Sequence, residues 1–231
     1  MVQCNSLAKS AETVLRALLR NACSMTDNLD VLPTRSELFK ILYTEAQGCR
    51  TCPKLADKTA VLSELNGNLH PKVFFIGEAP GRVGADKTRR PFYGDKSGAN
   101  LQTLLDSIEL SRDDIFITSA VMCSPRSATD ANRRPTRSEI LNCSSYLKRI
   151  LELIDPPLIA TLGSVALEAL KTIAYHEFKL NSHAGTRLEW TDRTLVPLYH
   201  PSPQVIASTR RMRQQLEDFQ VLKGAIDTLQ L

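Results

Sequence analysis

The sequence lacks any hydrophobic run long enough to cross a membrane. One of its longest runs, VFFIG at residues 73–77, is far shorter than the ~18–20 apolar residues of a membrane-spanning helix. The N-terminus also lacks the charged and then apolar pattern of a secretory signal, because its apolar residues are spaced as on one face of an amphipathic helix. We therefore expect a cytoplasmic protein that does not act at a membrane.

An excess of charge of one sign is also nearly absent. The chain has 29 Lys and Arg residues against 25 Asp and Glu residues, a formal net charge of +4. This excess is too small to indicate nucleic-acid binding by itself. Basic residues nevertheless cluster in the segments Lys87–Arg90, Arg133–Arg137 and Arg210–Arg213. These segments are either three solvated surfaces or, if they share one face, a rim that contacts phosphates.

Short apolar segments alternate with helical patterns after residue 71 of the 231-residue chain. Strands are predicted at 73–77, 114–121, 158–163 and 194–199, and helices at 97–109, 136–154, 164–175 and 204–229. Apolar strands separated by helices indicate a parallel sheet that is covered on both faces. We predict an α/β fold of three layers, α/β/α, with a central four-stranded parallel sheet.

An extension is predicted before this domain. Residues 1–23 have the apolar spacing of a helix, whereas residues 24–35 lack periodicity and contain Asp, Asn and Pro, as is typical of a linker. We predict an N-terminal helical extension and linker over residues 1–35, and an α/β domain over residues 36–231 that begins with a helix at 36–48.

Six cysteines in a protein expected to be cytoplasmic do not indicate a disulfide framework. Cys4 and Cys23 have no partner pattern and are predicted to be free thiols. The remaining cysteines form a C-x-x-C pair and a widely separated pair, and they are Cys49, Cys52, Cys123 and Cys143. Four thiolates suit Zn²⁺ or a [4Fe–4S] cluster, and the wide separation favours the cluster. The alternative is two core cysteines and an incidental C-x-x-C.

A glycine-bounded motif, Gly77-Glu78-Ala79-Pro80-Gly81, follows the first predicted strand. Its glycines permit tight turns and close approach to a ligand, and ligands in such sheets bind beyond the carboxyl ends of the strands. Glu78 is the only charged residue of the motif, and its carboxylate could orient a water or stabilise positive charge on a sugar. The alternative is an ordinary turn between a strand and a helix.

Two further motifs place rings in loops. Phe92, within RPFYGD at 90–95, is suited to stacking on a flat base. Asp95 is either a second site carboxylate or the cap of the next helix. His200 begins HPSPQ at 200–204, after the fourth strand, where two prolines stiffen the backbone and fix the imidazole. A lone histidine is otherwise more often structural.

Together these segments resemble the uracil-DNA glycosylase superfamily, in particular its iron–sulfur families 4 and 5. GEAPG at 77–81 resembles the first motif of family 4, whereas GAD at 84–86, RPFYGDKSG at 90–98 and HPSPQ at 200–204 are closer to family 5. The four cysteines fall where both families place their cluster ligands, and ANRRPT at 131–136 resembles the run between the last two of these cysteines.

The sequence departs from both families at the acids. Family 4 carries a second acid where this chain has Gly84 and Ala85, and an Asn where it has Ser119. Family 5 lacks an acid at the position of Glu78. Which carboxylate takes part, Glu78 or Asp95, is therefore left open, and Ser119 leaves the discrimination between pyrimidines open.

The resemblance implies a monofunctional uracil-DNA glycosylase of base excision repair, which flips uracil out of DNA and hydrolyses its N-glycosidic bond. It implies His200 as the residue that stabilises the uracil anion, and Glu78 or Asp95, assisted by Asn132, as the group that positions water. The implied substrate-binding residues are Gly77, Ala79, Pro80, Gly81, Phe92, Ser119, Ser202 and Arg210. A [4Fe–4S] cluster, uracil-containing DNA as the partner and a monomeric state, with nucleoid association on DNA, are expected.

Two other functions are compatible with the fold. One is a catalytically altered relative that traps uracil-DNA covalently through the histidine of the second motif. Such proteins carry a basic loop before that histidine, and the short segment at 191–200 contains none. The other is an iron–sulfur redox protein that shares the fold, which would not account for the paired motifs at the strand ends.

Overall fold

The computed structural model describes residues 32–231 of the protein. The predicted helix at 1–23, most of the predicted linker, Cys4 and Cys23 lie outside the described residues, so the predicted division at residue 35 stays a prediction. Within residues 32–231, no helix is long and apolar enough to cross a membrane. Helix α1, Arg35–Gly48, confirms the predicted helix at 36–48 and ends directly before Cys49.

The sheet contains the four predicted strands and a fifth one. The strands are β1 (Val73–Gly77), β2 (Ile115–Ser119), β3 (Leu158–Leu162), β4 (Leu188–Trp190) and β5 (Arg193–Leu198), in the order β2-β1-β3-β5-β4. The pairs β1–β2, β1–β3 and β3–β5 are parallel, as predicted. Gly77 lies opposite Ser119, so β1 and β2 end at the same level.

Helices cover both faces of the sheet. They are α2 (Ala85–Thr88), α3 (Lys96–Asp106), α4 (Arg137–Ile154), α5 (Ser164–Leu170), α6 (Leu180–His183), α7 (Pro203–Ser208) and α8 (Met212–Leu229). Because side chains alternate along a strand, Phe74 and Ile76 pack in one apolar core with α1, α4 and α5. Val73 and Phe75 pack in a second core with α3 and α8. The predicted three-layer α/β/α architecture is thus confirmed.

The fifth strand was not predicted, since β4 is three residues long and too short to show a period. It pairs antiparallel with β5 at the edge of the sheet. Its position is fixed by Trp190, which is buried and donates its indole N–H to the carbonyl of Ala174 at 3.2 Å. Thr191, with φ of 59°, makes the turn into β5.

The predicted helix at 204–229 is divided into α7 and α8. Arg210 lies between them, and its guanidinium binds the carboxylate of Asp218, with Nε and Oδ2 3.0 Å apart. The buried Gln215 donates to the carbonyl of Arg210 at 3.0 Å. Apolar periodicity does not reveal such a break, because polar contacts make it.

We expect Arg210→Met to lower the free energy of unfolding by about 2 kcal/mol, because the buried carboxylate of Asp218 loses its charged hydrogen-bond partner. The matched control is Arg213→Met, since Arg213 pairs with Glu217 but its side chain is 91% exposed and such pairs contribute about 0–1 kcal/mol. Urea denaturation of both variants measures the difference. Equal stabilities would show that the Arg210–Asp218 pair does not hold the α7–α8 junction.

Candidate active site and cysteine cavity

A cleft of about 390 Å³ opens beyond the carboxyl ends of β1, β2 and β5. Glu78 follows β1, Ser119 ends β2 and His200 follows β5, so parallel strands bring these side chains to one edge. All the residues predicted to be catalytic line this cleft: Glu78, Asp95, Asn132 and His200. The predicted substrate-binding residues that line it are Ala79, Pro80, Gly81, Phe92, Ser119 and Ser202.

Gly77 and Arg210 do not line the cleft. Arg210 is held by Asp218 at the α7–α8 junction. Gly77 lies behind the ring of Phe92, because a Cβ at position 77 would be 2.9 Å from a ring carbon of Phe92. The absence of a side chain at Gly77 therefore makes room for this ring.

The backbone of Phe92 is held in an unusual conformation. Its φ is 48°, in the left-handed region that bulky residues rarely adopt. The guanidinium of Arg112 donates to the carbonyl of Phe92 at 2.9 Å and to that of Pro91 at 3.4 Å. These bonds fix the loop, and the ring faces the cleft.

The imidazole of His200 lies beside that ring, with the two ring centroids 5.4 Å apart and the planes inclined by 38°. The amide of Asn100 donates to the carbonyl of Pro201 at 2.8 Å, and Ser202 caps α7, so the backbone after the imidazole is fixed. Burial lowers the pKa of His200 to about 4, although Asp95 opposes this shift. The imidazole is therefore neutral at pH 7.

The two candidate carboxylates have different surroundings. Asp95 caps α3, since its Oδ1 accepts from the amide of Gly98 at 2.8 Å, and it also lines the cleft. A Cβ at Gly84 would lie 2.2 Å from its Oδ2, so any side chain at position 84 would displace the Asp95 carboxylate. Glu78 has a raised pKa because burial disfavours its charge, an effect that Arg134 opposes.

The loop after Cys123 supplies polar groups to the other wall. The side-chain oxygen of Asn132 accepts from the amide of Arg82 at 2.9 Å. Arg133 and Arg134 both line the cleft, but Arg133 pairs with the buried Glu139 whereas Arg134 is exposed. The sequence shows adjacent arginines but does not reveal which of them is held by an acid, and it gives no reason to select Gln204, which also lines the cleft.

All four predicted metal ligands line a second, smaller cavity, between α1, α4 and the segment after β2. These cysteines are free thiols. Burial, together with the neighbouring cysteines, raises the pKa of Cys123 to about 11 and that of Cys143 to about 12. Within residues 32–231, no three or more His, Cys, Asp or Glu side chains are grouped so that they could hold one metal ion.

Polar donors point at three of the sulfurs. The amide N–H of Met122 lies 3.4 Å from Sγ of Cys143, and Nδ2 of Asn142 lies 3.5 Å from Sγ of Cys52. The Tyr146 hydroxyl donates a hydrogen bond to Cys49. Burial first, and then Cys49, raise the pKa of Tyr146 to about 12. Such bonds stabilise charge on sulfur.

The chain is similar to known proteins over the segments that carry the site. The sequence profile of the Uracil DNA glycosylase superfamily matches residues 65–222. The chain is 32% identical to the Type-4 uracil-DNA glycosylase of Thermotoga maritima, over 84% of this chain and 97% of the relative. It is 35% identical to the Type-4 enzyme of Saccharolobus solfataricus, over 87% and 88% of the two chains. It is 31% identical to the Type-5 enzyme of Pyrobaculum aerophilum, over 67% and 78%. The matched region contains the whole lining of the cleft except Val61, and on this ground the protein belongs to the uracil-DNA glycosylase superfamily.

Proposed function

We propose that this protein is a monofunctional uracil-DNA glycosylase, which hydrolyses the N-glycosidic bond of uracil in DNA and leaves an abasic site. The observation that carries the proposal is a neutral imidazole, His200, fixed beside the exposed face of Phe92 in a cleft that also holds Glu78. The family membership of the chain supports the same activity.

The cleft accepts a base only after the base has left the DNA stack. Extrusion costs roughly a few kcal/mol, and stacking on Phe92 offsets part of this cost. The volume of about 390 Å³ is in the range of small-molecule sites. The fixed loop of Phe92 and the capped start of α7 mean that little ordering is needed when the base enters.

Cleavage of the bond sends its electron pair to the uracil ring and leaves an oxocarbenium-like sugar. His200 donates a hydrogen bond to a carbonyl oxygen of the departing uracil, where negative charge develops. A neutral imidazole stabilises this charge while retaining its proton, and a fixed donor of this kind lowers the barrier by about 3–4 kcal/mol.

We assign the positioning of water to Glu78 rather than to Asp95. Among residues 32–231, no hydrogen-bond partner is found for the Glu78 carboxylate, whereas Asp95 is engaged by the amide of Gly98. Glu78 orients the water that attacks the anomeric carbon and accepts its proton. Asp95 contributes negative charge near His200 and the sugar cation, and Asn132 assists from the other wall of the cleft.

No lysine lines the cleft formed by residues 61–205 of the described chain. A glycosylase with lyase activity needs an amine nucleophile that forms a Schiff base with the sugar. The absence of such an amine from this lining supports the monofunctional assignment. A cytoplasmic location, nucleoid association on DNA and a monomeric state remain predictions.

We propose that Cys49, Cys52, Cys123 and Cys143 hold a [4Fe–4S] cluster. Four thiols that line a common cavity, two from a C-x-x-C pair and two widely separated in sequence, suit a [4Fe–4S] cluster. The cluster would supply structural cross-linking: it would join the segment after α1 to both ends of the loop that carries Asn132 and Arg134.

His200→Ala is expected to lower kcat for uracil release by about 10²–10³-fold, because one donor to the developing anion is lost. The assay uses labelled oligonucleotides with one uracil, single-stranded or paired with A or G, followed by alkali. His70→Ala, a change at an exposed histidine of the described chain, is the matched control.

The same assay can overturn the proposal. A protein–DNA adduct that survives denaturation would identify a covalently trapping relative. If the wild-type protein cleaves none of the three substrates while its folding and metal content are intact, uracil is not its substrate.

The rate should fall as pH falls through the raised pKa of Glu78, because only the ionised carboxylate accepts the proton of water. His200, with its pKa near 4, stays neutral until lower pH. Above the Glu78 pKa the rate should be constant up to neutral pH. Single-turnover rates from pH 4 to 8 test this, and Glu78→Gln should abolish the acid limb. If that limb persists in Glu78→Gln but is lost in Asp95→Asn, the roles of the acids are reversed.

Cys143→Ser should abolish the bound iron, the acid-labile sulfide and the visible absorption of the purified protein, because one cluster ligand is lost. Cys23→Ser, at a predicted free thiol, is the control and should leave all three unchanged. Iron and sulfide are measured per chain together with zinc. A stoichiometric amount of zinc without sulfide would contradict the cluster and identify a zinc site instead.

A further inference from the structure

Two exposed apolar side chains, Val83 and Tyr93, form what we call the apolar ridge beside the cleft. Val83 is 52% exposed and Tyr93 is 50% exposed. Each lies between residues that line the cleft: Gly81 and Ala85 flank Val83. Phe92 and Asp95 flank Tyr93 in the same way. The ridge therefore borders the opening without lining its interior.

The two loops of the ridge are packed together and fixed. A Cβ at Gly94 would lie 3.9 Å from the carbonyl oxygen of Val83 and 2.7 Å from the methyl group of Thr88. The hydroxyl of Thr88 is within 3.3 Å of the carbonyl of Tyr93 and within 3.1 Å of that of Gly84. An exposed aromatic ring on so fixed a backbone loses little entropy when a flat group stacks on it.

The surroundings of Tyr93 are basic. The guanidinium carbon of Arg90 lies 4.9 Å from the centroid of the Tyr93 ring, and among residues 32–231 Arg90 has no ion-pair partner. Lys87 and Lys96 are exposed nearby in sequence. Asp86, the carboxylate of this segment nearest to Lys87 in sequence, is bound by Arg126 and Arg89. A partner with negative charge and flat apolar faces complements this surface.

We propose that Tyr93 is the stacking platform for a nucleobase adjacent to the extruded uracil, and that Arg90 contacts the phosphate of the same strand. This inference rests on the proposed glycosylase function. Phe92 and Tyr93 are consecutive, so one ring faces the cleft while the next is exposed at its border, where the neighbouring nucleotide of the strand must pass. Stacking on aromatic rings and arginine contacts to phosphate are the usual elements of single-strand binding.

Tyr175 is an exposed tyrosine that lies away from the cleft and, among residues 32–231, has no basic neighbour stacked on its ring. It is 79% exposed, its hydroxyl donates to Glu177 at 2.7 Å, and it does not line the cleft. It has the same side chain as Tyr93 but is paired with an acid instead of a base. Tyr175→Ala is therefore the matched control for Tyr93→Ala.

The test is a double-mutant cycle in which one change is made in the protein and the other in the DNA. Single-stranded oligonucleotides carry one uracil, with a normal nucleotide or a base-free residue on its 5′ or its 3′ side. Equilibrium binding and uracil release are measured for the wild type, Tyr93→Ala, Tyr93→Phe, Arg90→Gln and Tyr175→Ala, with binding measured at several salt concentrations. Thermal melting first establishes that each variant is folded, and Tyr93→Phe retains the stacking ring should Tyr93→Ala be unstable.

We expect Tyr93→Ala to weaken binding of the normal oligonucleotide by roughly 5- to 150-fold, as loss of one stacked base does, with kcat little changed. Tyr93→Phe and Tyr175→Ala should bind as the wild type does. Removing the base on one side of the uracil should weaken binding by the wild type by a similar factor. It should not weaken binding by Tyr93→Ala any further, since both changes remove the same contact. Arg90→Gln should reduce the salt dependence of binding by about one phosphate contact.

Unchanged binding by Tyr93→Ala would overturn the proposed stacking on Tyr93. So would a loss of affinity from Tyr93→Ala that multiplies with the loss from removing the 5′ base and also with the loss from removing the 3′ base. In either case, release of uracil by the wild type would leave the glycosylase assignment intact. Failure of the wild type to release uracil would instead remove the proposed function, and the binding cycle would still report whether Tyr93 stacks on a base.

Discussion

The parallel alignment of β1, β2, β3 and β5 is the constraint on which the site depends. Parallel strands end at a common edge, so residues far apart in sequence arrive together there. Glu78 and His200 reach one cleft in this way. The two apolar cores on either face hold the strands in register, and the short loops beyond that edge need only local contacts to fix each side chain.

Arginines supply many of those local contacts. Arg112 holds the carbonyls of Pro91 and Phe92. Arg126 joins Asp86, Ser124 and Asp130, and the loop containing Asn132 is further held by the contact of Arg133 with the carbonyl of Arg126. The cysteine cavity is lined by Cys123, which precedes this loop, and by Cys143 in α4, which follows it. Part of the arginine content is thus used to hold the loops of the site in place.

The sequence predicts best what depends on apolar periodicity and on rigid local motifs. The four parallel strands, the helices between them and the convergence of Glu78 and His200 follow from such patterns. Contacts between distant residues do not. The pairing of Arg210 with Asp218, the edge strand fixed by Trp190, and the room that Gly77 leaves for Phe92 each depend on a partner that the local pattern cannot specify.

Gly84 restricts the routes by which such a site can diverge. A side chain at this position would collide with the carboxylate of Asp95 in its present place, so an acid at position 84 and the observed placement of Asp95 do not fit together. The resembling family 4 has an acid where this chain has Gly84 and Ala85. Conversion between the two arrangements requires coordinated changes, since an acid at position 84 requires the side chain at position 95 to move or to be replaced. Asn or Ser at position 95 would keep the α3 cap without a carboxylate, so the helix can stay capped while the acid moves from one loop to the other.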